Sequence, residues 1–366
     1  MFDGREAAWY PKQMSSFIRK EIQNLKAYRL ASHLEALKLN QNEMPYDLPG
    51  EIKAKVLEKL VRIPWNRYPL SQPFTFLSKL AQSLAWPAEG LVAANGSNVL
   101  IQALLLLSAV KSRVLTLDPT FSLYEIEAKV LGNEVELISL GENYSFPTHD
   151  LLKAMEKNPP SLLFIANPNA PTGNLFPKEE ILKIVKAAPC LVVVDEAYFQ
   201  FAEENLLSEL SQHSNLVLLR TFSKALGLGG VRMGYALASP DIAQEISKVL
   251  LPYCVSGVNE IIAQTVLEHP EISQQRVTEI KINRAQLFQA MLHVKGVKVY
   301  PSQANFLIFQ VNDAPKIFEA LLKEGVLVRD VSQAPSLLNT LRVTVSKQEE
   351  NEKFLRALEK VMKQFS

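Results

Sequence analysis

The chain has 366 residues, of which 48% are hydrophobic and 21% charged, and its formal net charge is +1. This composition is typical of a globular protein long enough for two domains, and the near-zero charge gives no electrostatic basis for binding nucleic acid or an anionic membrane. Two cysteines, Cys190 and Cys254, are too few for a disulfide framework or a tetrahedral metal site. The first residues lack the basic and apolar regions of a secretion signal, and the longest apolar run, 99–110, is too short to span a bilayer. We therefore expect a cytoplasmic protein without a metal, membrane or nucleic-acid partner.

The first two thirds of the chain alternate between helical and strand patterns. Residues 1–45 are polar and mixed, and we assign them to an N-terminal arm that packs with the small domain or with a partner subunit. Helices are predicted at 50–62, 73–85, 98–110, 121–131, 149–157, 178–187 and 240–251. Strands rich in Val, Leu and Ile are predicted at 113–117, 134–139, 161–166, 190–195, 216–220 and 234–238. This alternation predicts an α/β fold in a large domain of residues 46–255, with a mostly parallel sheet sandwiched by helices.

A different pattern begins after residue 255. A long polar helical region, 258–294, comes first. The later predictions are strands at 297–300, 306–309, 326–329 and 341–345 and helices at 314–324 and 348–363. We interpret residues 256–366 as a smaller α+β domain.

Polar segments follow four of the predicted strands of the large domain. They are 118–121, 167–169, 195–198 and 221–224. Ligands of parallel sheets bind outside the carboxyl ends of the strands, so these separate segments predict one site along a shared edge.

The stretch 221–235 carries a lysine among small and hydroxyl residues. Lys224 follows Ser223 directly, and Arg232 lies eight residues later. This grouping suggests an amine held next to an anion, such as an aldehyde-bearing phosphate that Lys224 binds as a Schiff base while Ser223 and Arg232 bind the phosphate. The alternative is a glycine-rich surface loop with a solvated lysine.

A pyridoxal-phosphate site needs further groups that this edge offers. A carboxylate beside the ring nitrogen keeps that nitrogen protonated, and Asp195, at the end of an apolar strand, is the candidate; a helix N-cap is the alternative. Tyr198 is a candidate donor to the cofactor's phenolic oxygen, or a core tyrosine. Ser97 and Asn98 open an apolar helix, whose N-terminus favours an anion, although an ordinary Ser/Asn cap has the same sequence.

Two further features concern the substrate and the backbone. Arg342 lies in an otherwise apolar strand, where a buried guanidinium demands an anionic partner. It is the candidate for a substrate's α-carboxylate, and the alternative is an edge-strand arginine that faces water. The segment 167–173 predicts a tight turn whose prolines are candidates for a cis bond.

Taken together, these segments resemble the fold-type-I pyridoxal-phosphate-dependent aminotransferases, and among them the histidinol-phosphate aminotransferase family. The matching segments, in chain order, are 39–43, 66–69, 118–121 with Tyr124, 167–173, 195–198, 221–224 with Arg232, 328–330 and 341–345. A single tetrapeptide is weak support, whereas the whole set in this order is specific for the superfamily.

The resemblance implies roles at the cofactor. Lys224 would bind the cofactor covalently and move the substrate's proton, Asp195 would pair with the pyridine nitrogen, and Tyr198 would contact the 3′-oxygen. The remaining residues expected at the cofactor are Ser97, Asn98, Ser223 and Arg232 on the phosphate and Phe121 against the ring. Tyr68 would reach the phosphate from the partner subunit of a homodimer.

The resemblance also implies a substrate pocket. Arg342 would bind the α-carboxylate, and Tyr28 and Arg329 would line the side-chain pocket, with Arg329 a candidate for a substrate phosphate.

Three positions depart from the family pattern. The Asn that usually precedes Pro-Thr-Gly is Ala170, so Asn169 becomes the candidate for its contact with the 3′-oxygen. The ring-stacking residue is Phe121 instead of the common Tyr, and Val99 replaces a frequent Glu. These departures concern the substrate more than the reaction.

The reaction implied is transamination between a small amino donor and a keto acceptor. Histidinol phosphate and 2-oxoglutarate would give imidazole acetol phosphate and glutamate, a step of histidine biosynthesis. Two alternatives keep the fold and cofactor: an aromatic amino acid aminotransferase and an amino-acid-phosphate decarboxylase. A more remote alternative is a non-catalytic regulatory protein, which would have lost Lys224 or Asp195, and both are present.

Overall fold

The structure is a computed structural model that describes residues 17–23 and 35–365. Its helices are α1 Lys20–Gln23, α2 Gly50–Arg62, α3 Phe74–Leu84, α4 Ser97–Ser108, α5 Leu123–Val130, α6 Thr148–Lys157, α7 Lys178–Ala187, α8 Pro240–Val249, α9 Gly257–Leu267, α10 Pro270–Leu292, α11 Ala314–Lys323 and α12 Gln348–Gln364. Its strands are β1 Leu37–Lys38, β2 Leu91–Ala94, β3 Arg113–Asp118, β4 Glu134–Ser139, β5 Leu162–Ala166, β6 Leu191–Asp195, β7 Leu216–Thr221, β8 Gly234–Leu237, β9 Lys298–Val299, β10 Phe306–Gln310, β11 Val326–Leu327, β12 Arg329–Asp330 and β13 Thr340–Thr344. Within these residues, no helix combines the length and apolar character needed to cross a bilayer.

The large sheet has the strand order β2-β8-β7-β6-β5-β3-β4. Strand β8 runs antiparallel to both of its neighbours, and the remaining pairs are parallel. Every residue of β5 and β7 is buried, because helices cover both faces of the sheet. This double burial explains why these strands are continuous apolar runs rather than alternating ones. The predicted α/β architecture is confirmed.

The second sheet has the order β12-β13-β10-β9 and is antiparallel. Helices α10, α11 and α12 supply the apolar residues that pack on it. The chain before α2 joins this unit, since β1 pairs in parallel with β11 and Leu39 is buried in the same core. The predicted strand 326–329 is therefore two short strands, which belong to different sheets.

The region 258–294 contains two helices, not one. Helix α9 ends at Leu267, and α10 begins at Pro270, where the first helical turn tolerates a residue without an N–H. Ala263 and Val266 of α9 pack in the core of the large sheet. The boundary between residues 255 and 256 stays a prediction, and because of this packing we propose that the large domain extends to about Pro270.

Candidate active site

A cavity of about 460 Å³ lies at the carboxyl ends of the parallel strands, between the large sheet and the small domain. Its walls come from the loops after β3, β5, β6 and β7, from the segment 40–42, and from residues 329–342. Ten of the predicted site residues line it: Ser97, Asn98, Phe121, Asp195, Tyr198, Ser223, Lys224, Arg232, Arg329 and Arg342. The fold therefore brings together side chains that are up to 245 positions apart in the sequence, from Ser97 to Arg342.

Lys224 presents its amine to this cavity from the loop after β7. The Nζ atom donates a hydrogen bond to the carbonyl oxygen of Gln41 at 2.9 Å. It also lies 5.7 Å from the ring centroid of Tyr198. The amine is thus held by an uncharged backbone acceptor, and within residues 17–23 and 35–365 no carboxylate forms a salt bridge with it.

Asp195 ends β6 and is buried. Its two oxygens accept hydrogen bonds from the Tyr124 hydroxyl at 2.9 Å and from the Ala197 amide at 3.0 Å. Burial raises the pKa of Asp195 to about 6, although both hydrogen bonds act to lower it. A carboxylate desolvated to this degree strongly favours a cationic partner.

Tyr124 is a site residue that the sequence indicated only as part of a motif. Its ring stacks on Phe164, with centroids 4.8 Å apart and an interplanar angle of 4°, and it meets the Phe121 ring edge-on at 5.5 Å. Burial raises the pKa of the Tyr124 hydroxyl well above its usual value. The hydroxyl therefore stays protonated and remains a donor to Asp195.

A second wall of the cavity forms an anion cradle around the start of α4. Arg232 Nη1 donates to Ser223 Oγ at 3.0 Å and to the carbonyl of Gly229 at 3.0 Å. Gly96, with φ of +89°, precedes Ser97, and a Cβ on Gly96 would lie 2.5 Å from Arg232 Nη2. The guanidinium is thus packed directly against the helix N-terminus, whose free N–H groups also favour an anion.

The opposite end of the cavity carries two more arginines. Arg329 and Arg342 are directly opposite each other on the antiparallel strands β12 and β13. Arg342 Nη2 donates to the Asn40 carbonyl at 3.0 Å, and its guanidinium lies 5.1 Å from the Phe306 ring centroid. Like charges directly opposite on neighbouring strands repel each other, so an anion bound between them would be stabilising.

A buried ion pair between Arg220 and Glu196 lies directly next to lining residues of the site in the sequence, and the sequence analysis did not identify it. Arg220 donates through Nε to Glu196 at 2.9 Å, and both side chains are 1% exposed. Its guanidinium also lies 3.8 Å from the Phe199 ring centroid. The pair ties β7, which leads to Lys224, to the segment that follows Asp195. The sequence signal for this pair is Arg220 itself, since an arginine inside an apolar strand needs an anionic partner.

Asn169 does not lie where the sequence placed it. Its side chain is fully buried, and its Nδ2 donates to the Pro119 carbonyl at 3.0 Å and to Thr172 Oγ1 at 2.7 Å. Its Oδ1 accepts from Thr120 Oγ1 at 3.1 Å. Because the amide is used to join two loops and is not in the cavity wall, Asn169 is not placed to replace the missing family Asn at position 170. The peptide bonds before Pro168 and Pro171 are cis.

Tyr68 is a predicted site residue that does not line this cavity. Tyr68 is 84% exposed, and its ring stacks on Tyr253 with centroids 4.9 Å apart. Its contact across a subunit interface stays a prediction. Tyr28 lies outside the described residues.

The residues in the cavity fit pyridoxal phosphate. They provide a primary amine, a buried carboxylate, a tyrosine hydroxyl and an anion cradle on separate walls. The cradle is specific in shape, since even a methyl group on Gly96 would overlap the guanidinium that faces it. The second pair of arginines leaves an additional place for an anionic substrate.

Comparison with known proteins identifies the family. Residues 35–358 match the family model "Aminotransferase class I and II". The chain belongs to this aminotransferase family. Class I and II aminotransferases depend on pyridoxal phosphate, so the predictions of the enzyme class, the fold type and the cofactor are confirmed.

Individual aminotransferases are similar over nearly the whole chain. Histidinol-phosphate aminotransferase 2 of Nitrosococcus oceani is 39% identical over 351 residues, which are 94% of this chain and 97% of the relative. Histidinol-phosphate aminotransferase of Aquifex aeolicus is 37% identical over 352 residues, 95% of this chain and 99% of the relative. The crystal structure of histidinol-phosphate aminotransferase from Sinorhizobium meliloti in complex with pyridoxal-5′-phosphate has a TM-score of 0.85 at 21% identity, covering 96% and 99% of the two chains. This last likeness concerns the fold.

Proposed function

We propose that this aminotransferase uses histidinol phosphate as amino donor and 2-oxoglutarate as acceptor, and that it forms imidazole acetol phosphate and glutamate in histidine biosynthesis. The relatives from Nitrosococcus oceani and Aquifex aeolicus carry the name of this activity at 39% and 37% identity. We further propose that the protein is cytoplasmic.

The observation that carries the proposal is the presence of two separate anion sites in one cavity. The cradle of Ser97, Ser223 and Arg232 would hold the cofactor's phosphate, which leaves Arg329 and Arg342 for the substrates. Both proposed substrates bring an anion to that end: a phosphate in histidinol phosphate and carboxylates in 2-oxoglutarate. The guanidinium fork matches either group with paired hydrogen bonds, so the same arginines can serve the two half-reactions in turn.

The other residues of the cavity have complementary tasks. When bound, pyridoxal phosphate withdraws electrons from the substrate's α-carbon as that carbon loses its proton. Asp195 would pair with the protonated ring nitrogen, and this cation would keep the buried carboxyl ionised despite its raised pKa. Tyr198 would donate to the 3′-oxygen, Phe121 would cover the ring, and Asn98 would add to the phosphate cradle.

Lys224 would be both the attachment point and the proton carrier. Its amine reaches the cavity, and the Gln41 carbonyl that accepts its hydrogen bond is a neutral, replaceable partner. An amine in this position could take the proton from the substrate's α-carbon and deliver it to the C4′ position of the cofactor within the same half-reaction, and it would move a proton the opposite way in the second half-reaction.

We also propose a homodimer in which Tyr68 of one subunit reaches the phosphate group of the other. Tyr68 is 84% exposed, and the same stretch of sequence carries further exposed apolar side chains, Leu57, Val61, Trp65 and Leu70. Exposed apolar side chains in this number favour burial against a second copy. Tyr28 would line the substrate pocket.

Single-turnover spectroscopy of the pyridoxal-phosphate holoenzyme tests the substrate. Histidinol phosphate should convert the cofactor to its amine form, and 2-oxoglutarate should restore the aldehyde form. Faster conversion by phenylalanine would favour an aromatic amino acid aminotransferase instead. Release of carbon dioxide from an amino-acid phosphate would favour a decarboxylase.

A further inference from the structure

We propose that Asn42 is a positioning residue that turns the hydroxyl of Tyr198 toward the cofactor. Asn42 Nδ2 lies 2.9 Å from the Tyr198 hydroxyl oxygen, and both residues line the cavity. The inference rests on the proposed function, because it assumes that pyridoxal phosphate occupies this cavity with its 3′-oxygen near Tyr198.

The direction of each hydrogen bond in this group follows from its neighbours. The backbone N–H of Asn42 donates to Thr344 Oγ1 at 2.9 Å, so this hydroxyl must direct its own proton elsewhere. The Thr344 hydroxyl donates its proton to Asn42 Oδ1, which lies 3.3 Å from Thr344 Oγ1 and can only accept a hydrogen bond. The amide nitrogen of Asn42 is then the group that faces Tyr198.

The Tyr198 proton has a defined direction as well. An amide nitrogen can only donate, so the Tyr198 oxygen accepts from Asn42. A phenolic hydroxyl has a single proton, which is therefore left to point into the cavity. Asn42 thus makes Tyr198 a donor at the place where the 3′-oxygen would lie.

The group is rigid enough to impose this orientation. The exposed fractions of Asn42, Tyr198 and Thr344 are 1%, 7% and 3%. The Asn42 carbonyl accepts from Asn305 Nδ2 at 3.0 Å, which ties it to the start of β10. The Tyr198 ring packs edge-on against Phe306 with centroids 5.2 Å apart. Neither partner can turn away without leaving a buried polar group unsatisfied.

This orientation matters more here because the usual amide is missing. Position 170 is alanine, and the Asn169 amide is held by Pro119 and Thr172 outside the cavity wall. The 3′-oxygen consequently depends on Tyr198 as its donor, and a Tyr198 hydroxyl that pointed elsewhere would leave the oxygen's negative charge less stabilised.

The isosteric substitution Asn42→Asp tests the direction of donation. The substitution introduces an ionised carboxylate, which can only accept hydrogen bonds. Tyr198 would then donate its proton to this carboxylate and no longer into the cavity. The Thr344 hydroxyl would still donate to the carboxylate and would favour its ionised form. A donor to the 3′-oxygen stabilises that oxygen's anionic, high-pH form. Losing the donor should therefore raise the pH midpoint of the bound cofactor's absorption change, by about one to two pH units.

Three further variants separate the orientation of the Tyr198 hydroxyl from a simple effect of charge. Tyr198→Phe should raise the midpoint by a similar amount, and Asn42→Asp added to Tyr198→Phe should raise it by less than about 0.3 units further, since the hydroxyl is already absent. Thr344→Val, which frees the Asn42 amide to flip, should cause a smaller rise in the same direction. Melting temperatures of the apoproteins monitor folding throughout.

The outcomes separate this inference from the proposed function. The role of Asn42 would be overturned if Asn42→Asp left the pH midpoint unchanged, or if it raised the midpoint equally with and without the Tyr198 hydroxyl. In either case pyridoxal phosphate would still bind and transamination would proceed, so the proposed function would stand. A wild-type protein that takes up no pyridoxal phosphate would instead overturn the proposed function. If Asn42→Asp does not fold, Asn42→Ala gives the same test, with an expected rise of about half a unit that again disappears without the Tyr198 hydroxyl.

Discussion

The two anion-binding ends of the cavity are built in different ways. The phosphate cradle comes from the large domain alone, where the start of α4 and the loop after β7 meet along one sheet edge. The arginine end is assembled from β12 and β13 of the small domain and from the segment 40–42. The cradle is thus a property of one folded unit, whereas the substrate end exists only when three separate parts of the chain are in contact. We therefore expect changes in the first to alter cofactor binding and changes in the second to alter substrate use.

The largest effect should come from Lys224→Ala. Loss of the amine removes both the attachment point and the proton carrier, so turnover should fall by about 10⁴-fold or more, measured as kcat with histidinol phosphate. The melting temperature of the apoprotein should stay near that of the wild type. The surface variant Lys183→Ala, whose side chain is 60% exposed, is the matched control and should keep full activity. Substantial turnover by Lys224→Ala would contradict the assignment.

Asp195→Asn should have opposite effects on the apoprotein and the holoenzyme. The neutral amide cannot balance the cationic ring nitrogen, so cofactor affinity should fall by about 100-fold or more, measured by equilibrium titration.

The apoprotein should respond to pH through the same carboxyl group. Because the folded-state pKa of Asp195 is raised from 3.8 to about 6, the stability that this group contributes is complete below pH 4 and is lost as the pH rises to 6. At pH 7 the Asp195→Asn apoprotein should therefore be more stable than the wild type, by on the order of 3 kcal/mol. Denaturant unfolding at pH 4 and pH 7 measures the difference, and a variant no more stable at pH 7 than the wild type would argue against a buried, destabilising carboxylate.

At the arginine end, Arg342→Ala and Arg329→Ala should each raise the KM for histidinol phosphate or for 2-oxoglutarate by about 10- to 100-fold, because a charge-assisted hydrogen bond is lost. The affinity for pyridoxal phosphate should change little. Arg232→Ala is the comparison from the cradle and should show the reverse pattern, with weaker cofactor binding. If the Arg342 and Arg232 variants both lost cofactor affinity equally, the two ends would not be separate sites.

The smallest effect should come from Gly96→Ala. The added methyl group would lie 2.5 Å from Arg232 Nη2, and the φ of +89° is unfavourable for alanine. Cofactor affinity should fall by about tenfold through displacement of the guanidinium. Gly230→Ala is the matched control, because a Cβ there meets nothing within 4 Å. Equal affinities for the two variants would show that the cradle tolerates a change in shape.

The sequence predicted the cradle better than the substrate end, for physical reasons. Apolar periodicity defined α2 and β4 at the residues where the structure has them, and Lys224, Ser223 and Arg232 lie within one short stretch. Side-chain hydrogen bonds carry no such local signal. Neither the Asn42–Tyr198 contact, across 156 positions, nor the Tyr124–Asp195 contact, across 71, follows from any spacing rule.

Asn169 and the domain boundary show the same limit of local sequence signals. Asn169 was chosen because it is next to Ala170, yet the turn directs its amide to Pro119 and away from the cavity. The predicted domain boundary after residue 255 follows a change in composition, whereas α9, which comes directly after it, packs on the large-sheet core. Which core a helix joins depends on the shape of both surfaces, and hydrophobic periodicity alone does not encode it.

The central claim is that Lys224 holds pyridoxal phosphate in this cavity. Borohydride reduction of the holoprotein, followed by proteolysis and mass spectrometry, measures where the cofactor is attached. The predicted result is one modified peptide with the label on Lys224, and no label in the Lys224→Ala protein. A label on another lysine, or a wild-type protein that retains none after reduction, would contradict the account.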